Sequence, residues 1–173
     1  MKLYLATGNA HKIAELTAIL AAANVPAQVF PPAALGGMPH VDENTGTFEG
    51  NARKKALALA AKIAEREARN AAREQTDDCA MVSSTPHPAL RIPQFAALSV
   101  ADDSGLCVDA LDGAPGVESG YFAGTPTNDA ANNAKLLGRL RGVPAEKRTA
   151  AFHCCIVAAT PDGRTFAFPG RCP

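Results

Sequence analysis

The chain has 173 residues, 47% of them hydrophobic and 20% charged, with 17 basic and 17 acidic side chains. That length suits one domain with a core of its own, and the composition excludes a disordered chain. Zero formal net charge speaks against a nucleic-acid binder, which needs a basic face for phosphates, and no apolar run is long enough to be a signal peptide or to span a bilayer.

Taken in order, residues 3–6 predict a short buried strand broken by Thr7-Gly8-Asn9. A helix follows, with Ile13, Leu16 and Leu20 on one face and Asn24 and Pro26 ending it. Residues 28–30 read as a second strand, and 31–40 as a loop punctuated by Pro and Gly. Thr47 is placed to cap a helix whose stripe is Ala52, Ala56, Leu59 and Ile63. From Glu65 that stripe decays into a solvated extension. Residues 76–94 carry three prolines and no periodicity, which predicts an exposed, mobile insertion. Residues 95–101 predict a strand that closes on ADDSGL, and GAPG (113–116) predicts a turn. The span 128–140 predicts a helix with Asn133, Leu136, Leu137 and Leu140 on one side. Residues 149–160, the turn PDGR and residues 165–168 predict a hairpin. Alternating strands and helices with a late hairpin make an α/β fold, a mixed central sheet flanked by helices.

Five Cys without a C-x-x-C pair and four scattered His fit neither a disulfide framework nor a zinc site. Reduced thiols in the cytoplasm are the expectation, with Cys154 and Cys155 packing a strand and His153 half-buried beside them.

Four places could carry chemistry. Thr7, Gly8, Asn9, Ala10, His11 and Lys12 form a strand-to-helix junction, where N–H groups and the positive end of the macrodipole can cradle phosphate and Lys12 adds charge. Ordinary turn chemistry is the competing reading. Glu43 lies in the loop VDENTGTF, where a lone carboxylate is usually just solvated. Arg53, Lys54 and Lys55 place cations near a helix start, against the macrodipole, a conflict that an anionic ligand would relieve. A solvated face suits Arg53 and Lys54 better than Lys55, whose stem borders the apolar stripe. Finally, Asp102, Asp103 and Ser104 follow an apolar strand. Strand alternation sends the two carboxylates to opposite faces, so one can serve a site while the other bonds locally. A carboxylate at a strand end can hold Mg²⁺ and prepare a water, with phosphate completing the metal's shell. The set suggests a Mg²⁺–nucleotide site.

The segments ATGNAHKIAEL (6–16), VDENTGTFEGNARKKA (41–56), ADDSGLCVDALDGAPGVESGYFAG (101–124), NNAKLLGRL (132–140) and RTAAFHCCIVAA (148–159) occur in that order. Together they resemble the non-canonical purine nucleoside triphosphate pyrophosphatases, which act on inosine and xanthosine triphosphates. The ADDSGL and GAPG block is the most specific part, and the resemblance covers the whole chain except about residues 65–94, an atypical insertion. It implies one domain over 1–173, elongated and two-lobed around a central cleft, working as a cytoplasmic homodimer without nucleic-acid or membrane partners. The implied activity is Mg²⁺-dependent hydrolysis of ITP, dITP and XTP to the monophosphate and pyrophosphate. Residues 7–12 and Lys55 would bind the phosphates, Ser104 would contact substrate, and Glu43 and Asp103 would hold the metal. Asp103 would also accept the proton of the attacking water, with Asp102 as its support.

The sequence departs from the family pattern in three places. Asn44 stands where an acid usually precedes T-G, so Glu43 sits one step early. Ser119-Gly120-Tyr121-Phe122 replaces S-A-R-Y, without its Arg. The chain ends at GRCP, without the family's G-F-G-Y-D-P and Ser-His-Arg motifs. A C-terminally incomplete, catalytically impaired relative, serving as a scaffold or weak nucleotide binder with apolar surface exposed on its last hairpin, is therefore the alternative. Enzymes of the same kind acting on pyrimidine nucleotides are a more distant one.

Overall fold

A run of four apolar residues with no polar alternation should sit in the middle of a sheet, buried on both faces. In the computed structural model, which describes residues 1–77 and 97–173, Leu3, Tyr4, Leu5 and Ala6 are all buried. Their strand, β1 (Lys2–Leu5), pairs in parallel with β2 (Gln28–Phe30) on one side and with β3 (Ala97–Val108) on the other, Leu3 lying against Val29 and Leu98. The hairpin of β4 (Ala150–Ala159) and β5 (Thr165–Cys172) completes a mixed sheet of order β2-β1-β3-β4-β5. Of the insertion expected at residues 76–94, residues 78–94 lie outside the described residues. No helix among the described residues is long and apolar enough to cross a membrane.

The chain divides into two compact units. The first comprises Met1–Val41, Lys55–Val100 and Ala158–Thr165. Here α1 (Ala10–Ala22) lays Ile13, Leu16 and Leu20 on a cluster of Leu3, Leu5 and Val100, as their spacing predicts. Asn24 ends it in a left-handed conformation, φ 54°, with its N–H on the Ala21 carbonyl and the Val25 N–H on the Leu20 carbonyl. That paired closure satisfies carbonyls a helix end leaves open. The greater part of α2 (Phe48–Asp77) also belongs to this unit, burying Ala56, Leu59, Ala60 and Ile63. The buried Ser99 of β3 donates to the Ala56 carbonyl. The extension expected from Glu65 is exposed through Arg73, and within it Arg66 donates to the Ala34 carbonyl at 2.8 Å, one turn after Lys62 donates to that of Gly37 at 3.0 Å. Two basic side chains thus tie down the Pro-rich loop, part of which is a 3₁₀ turn at Pro32–Leu35.

The second unit comprises Asp42–Lys54, Ala101–Val157 and Phe166–Pro173. Thr47 caps α2 as predicted, its hydroxyl accepting the Gly50 N–H at 3.0 Å. The strand does not close at residue 101. β3 runs unbroken through the Asp doublet to Val108, so both carboxylates sit within a strand rather than at its exit. Helix α3 (Asp129–Arg139) starts on Asn128, whose side chain accepts the Ala131 N–H. Its inward face is Asn132, Leu136 and Leu140, while Leu137 is 62% exposed. The expected face is therefore displaced toward a polar residue. The buried Asn132 accepts from the Ala123 N–H and donates to the Ser119 and Gly120 carbonyls, which offsets the cost of burying its amide. On β4, Ala151, Cys155 and Val157 face inward, while Phe152 and Ile156 are exposed, as are Phe166 and Phe168 of β5. That open apolar surface is where the sequence reading expects it.

Candidate functional site

Residues 7–12 form the junction between β1 and α1, with Lys12 half-buried. Asn9 is the helix N-cap, its side chain accepting the His11 N–H at 2.9 Å, and the Thr7 hydroxyl accepts the Asn9 N–H at 3.1 Å. These bonds fix the loop so that the backbone of Gly8, Ala10 and Lys12 is presented at a helix N-terminus. A Cβ on Gly8 would meet nothing within 4 Å, so the glycine leaves open space above the junction. Lys55, half-buried on α2, belongs to the same unit.

Glu43, Asp103 and Ser104 belong to the other unit. Glu43 is exposed in the loop before α2. Within that loop the Lys54 ammonium donates to the Asp42 carbonyl at 3.2 Å and to the Asn44 side-chain oxygen at 2.6 Å. Arg53 pairs with Glu49 one turn earlier on the helix. The conflict expected of cations at this helix start is thus met within the chain at Arg53 and Lys54, without a ligand. Asn44, which stands in place of an acid, serves as an acceptor for Lys54.

Asp103 is half-buried on the face of β3 turned to α2, and one carboxylate oxygen accepts from the side-chain amide of Asn51 at 3.1 Å. Asn51 is 2% exposed, and its carbonyl oxygen accepts from the Thr45 hydroxyl at 2.8 Å and the Thr45 N–H at 3.2 Å. One buried amide therefore joins Asp103 to the loop that carries Glu43. Gly50 leaves the space in which Thr45 sits: a Cβ there would lie 2.4 Å from the Thr45 hydroxyl oxygen. Alternation puts Asp102 and Ser104 on the opposite face of β3 from Asp103. Asn51 escapes the sequence reading because its partner is 52 residues away, a separation no local period encodes. The available signal was a polar residue directly beside the buried stripe at Ala52.

Farther along β3 the chain is clamped from outside. The Ser119 hydroxyl accepts the Leu106 N–H at 2.9 Å and donates to the Gly116 carbonyl, docking the turn 113–121 on the strand. A Cβ on Gly105 would lie 2.2 Å from the Gly116 carbonyl oxygen. Cys155 is buried and Cys107 half-buried, as packing groups are. Burial, reinforced by the charge of Glu49, pushes the Cys155 thiol up, and burial with Asp109 does the same to Cys107.

Among the described residues no group of three or more His, Cys, Asp and Glu side chains could hold a metal. Two carboxylates, from Glu43 and Asp103, are nonetheless a suitable protein share for Mg²⁺, which takes hard oxygen ligands and usually obtains the rest from water and phosphate.

The Ham1 family model matches residues 3–173. The chain is 44% identical over 177 residues to a dITP/XTP pyrophosphatase of Opitutus terrae, covering 99% of this chain and 72% of that protein. It is 42% identical over 172 residues to the enzyme of the same name from Desulforamulus reducens, covering 99% and 69%. The Staphylococcus aureus Ham1 protein superposes with a TM-score of 0.70 at 30% identity, over 99% of this chain and 69% of that one. With a match over nearly its whole length, the chain belongs to the Ham1 family.

Proposed function

We propose that this chain hydrolyses non-canonical purine nucleoside triphosphates, ITP, dITP and XTP, to the monophosphate and pyrophosphate with Mg²⁺. The observation that carries this reading is the carboxylate of Asp103, held by a buried amide to the Glu43 loop, in a chain similar to proteins named dITP/XTP pyrophosphatases.

In this reading the backbone of residues 7–12, with Lys12 and Lys55, neutralises and orients the triphosphate, which converts an encounter into a positioned reaction. Asp103 accepts a proton from the water that attacks the phosphorus, and the phosphoanhydride bond breaks with pyrophosphate leaving. Glu43 and Asp103 would hold Mg²⁺, which when bound supplies positive charge against the phosphate oxygens. Asp102 supports the strand from its other face, which Ser104 shares. The reading includes a homodimer, which sedimentation of the purified chain tests directly.

Turnover decides the matter. The purified protein, incubated with ITP, XTP or ATP and Mg²⁺, should release pyrophosphate from the first two far faster than from ATP. Asp103→Asn should lower kcat by at least about a hundredfold, the usual weight of a general base. A folded sample that releases pyrophosphate from none of the three removes this reading in favour of a non-catalytic relative.

A further inference from the structure

The role of Asn51 follows from which end of its amide points where. An Asn side chain has one accepting end and one donating end. Two donors of Thr45, its hydroxyl at 2.8 Å and its N–H at 3.2 Å, converge on one end, so that end is the carbonyl. The end facing Asp103 is then the NH₂, at 3.1 Å from the carboxylate oxygen. Amide orientation is here fixed by chemistry rather than assumed. The site is also dry: Asn51 is 2% exposed, so no bulk water takes over if the amide is lost. A hydrogen bond to an ionised carboxylate is stronger than a neutral one, and stronger again away from water.

We propose that Asn51 is a positioning residue for the hydrolysis, a relay that sets the rotamer of Asp103 from the fold of the Glu43 loop. This rests on the functional reading above, in which Asp103 meets the attacking water. Thr45 orients the amide, and Gly50 admits Thr45 to the place from which it does so. The loop of one carboxylate and the strand of the other are thereby fixed by the same three atoms of one side chain. Such a residue touches no substrate. Removing it leaves ground-state binding intact and costs transition-state stabilisation, because an aspartate that has lost this bond spends less of its time aligned with the water.

The test compares wild type with Asn51→Asp, Asn51→Ala, Thr45→Val and the Asn51→Ala/Thr45→Val double variant, each checked for a cooperative thermal transition. Asn51→Asp keeps the shape and both acceptor bonds from Thr45 but turns the donor facing Asp103 into an acceptor. Asn51→Asp and Asn51→Ala should each lower kcat for ITP at least about tenfold with KM within about twofold, and Thr45→Val about threefold. Equilibrium binding of ITP in EDTA, where no turnover occurs, should stay within about twofold of wild type. In the Asn51→Ala background the Thr45→Val effect should disappear, since groups acting as one relay are not additive.

Wild-type kcat in both Asn51 variants, or an effect confined to KM or to ITP binding, overturns the inference. If neither Asn51 variant folds, Thr45→Val alone decides it, an unchanged kcat overturning it. Asp103→Asn is run in parallel to separate the two layers. If it stays active, the functional reading falls and takes this role with it. If it is inactive while Asn51→Asp is fully active, only the role of Asn51 falls.

Discussion

Single side chains do most of the arranging around β3. Asp103 is oriented from α2 by Asn51, and two residues on, Gly105 lets the turn 113–121 approach the strand. A Cβ at Gly105 would meet backbone at 2.2 Å, and backbone cannot rotate away as a flexible side chain can. Gly105→Ala should therefore displace the turn, break the Ser119 bond to the Leu106 N–H, and lower stability by about 1–3 kcal/mol or more. Chemical denaturation of the purified variant measures that directly. How much of this was legible differs from residue to residue. The split between Asp102 and Asp103 follows from strand alternation alone, and the family resemblance selects Asp103. Asn51 and Thr45 fall within the resembling segment 41–56, yet their role was not legible, because it lies in contacts that only the folded chain creates. Arg53 and Lys54 suit the solvated face expected of them better than a ligand site. Their charges look unbalanced in sequence, whereas Glu49 and the loop around Asn44 already answer them.

At the scale of elements, α2 was the most readable because its stripe is strictly periodic. Ala52, Ala56, Leu59 and Ile63 are all buried, and Leu59 and Ile63 are among the largest fully buried side chains. Truncating one of them removes transfer energy and leaves a hole that neighbouring alanines are too small to fill. Leu59→Ala should cost about 2–5 kcal/mol, readable as a shift of the urea midpoint at unchanged slope. Helix α3 was legible in extent and in part of its face: Leu136 and Leu140 lie inward as expected, whereas Asn133 and Leu137 are exposed. Asn132 rather than Asn133 lies inward, because three backbone groups of the preceding turn need partners there. Sequence reading ranks apolarity and does not count the hydrogen bonds a neighbouring turn leaves open. The end of β3 was not legible either: Asp-Asp-Ser-Gly reads as a strand exit, whereas β3 continues through it to Val108.

For the molecule as a whole, the fold class was legible from element order, whereas a division in two came only from the family resemblance and its interleaving from neither. Each unit is assembled from three separated stretches, and no boundary in composition marks where one gives way to the other. Apolar surface on the last hairpin was expected only under the alternative of an incomplete relative, and Phe152, Ile156, Phe166 and Phe168 are exposed there. Stability is also unevenly open to improvement. Helices α2 and α3 each contain one glycine, a residue that costs a helix interior about 0.5–1 kcal/mol relative to alanine. At Gly138 a Cβ would meet nothing within 4 Å, so Gly138→Ala should raise the melting temperature by a few degrees. At Gly50 the same exchange would evict Thr45, and thermal melting alongside a pyrophosphate assay should show kcat falling. An engineer working through the helix glycines would meet one vacancy that is slack and one that is tenanted. The tenant is a threonine, and in filling its room with a methyl group the protein would trade aim for rigidity.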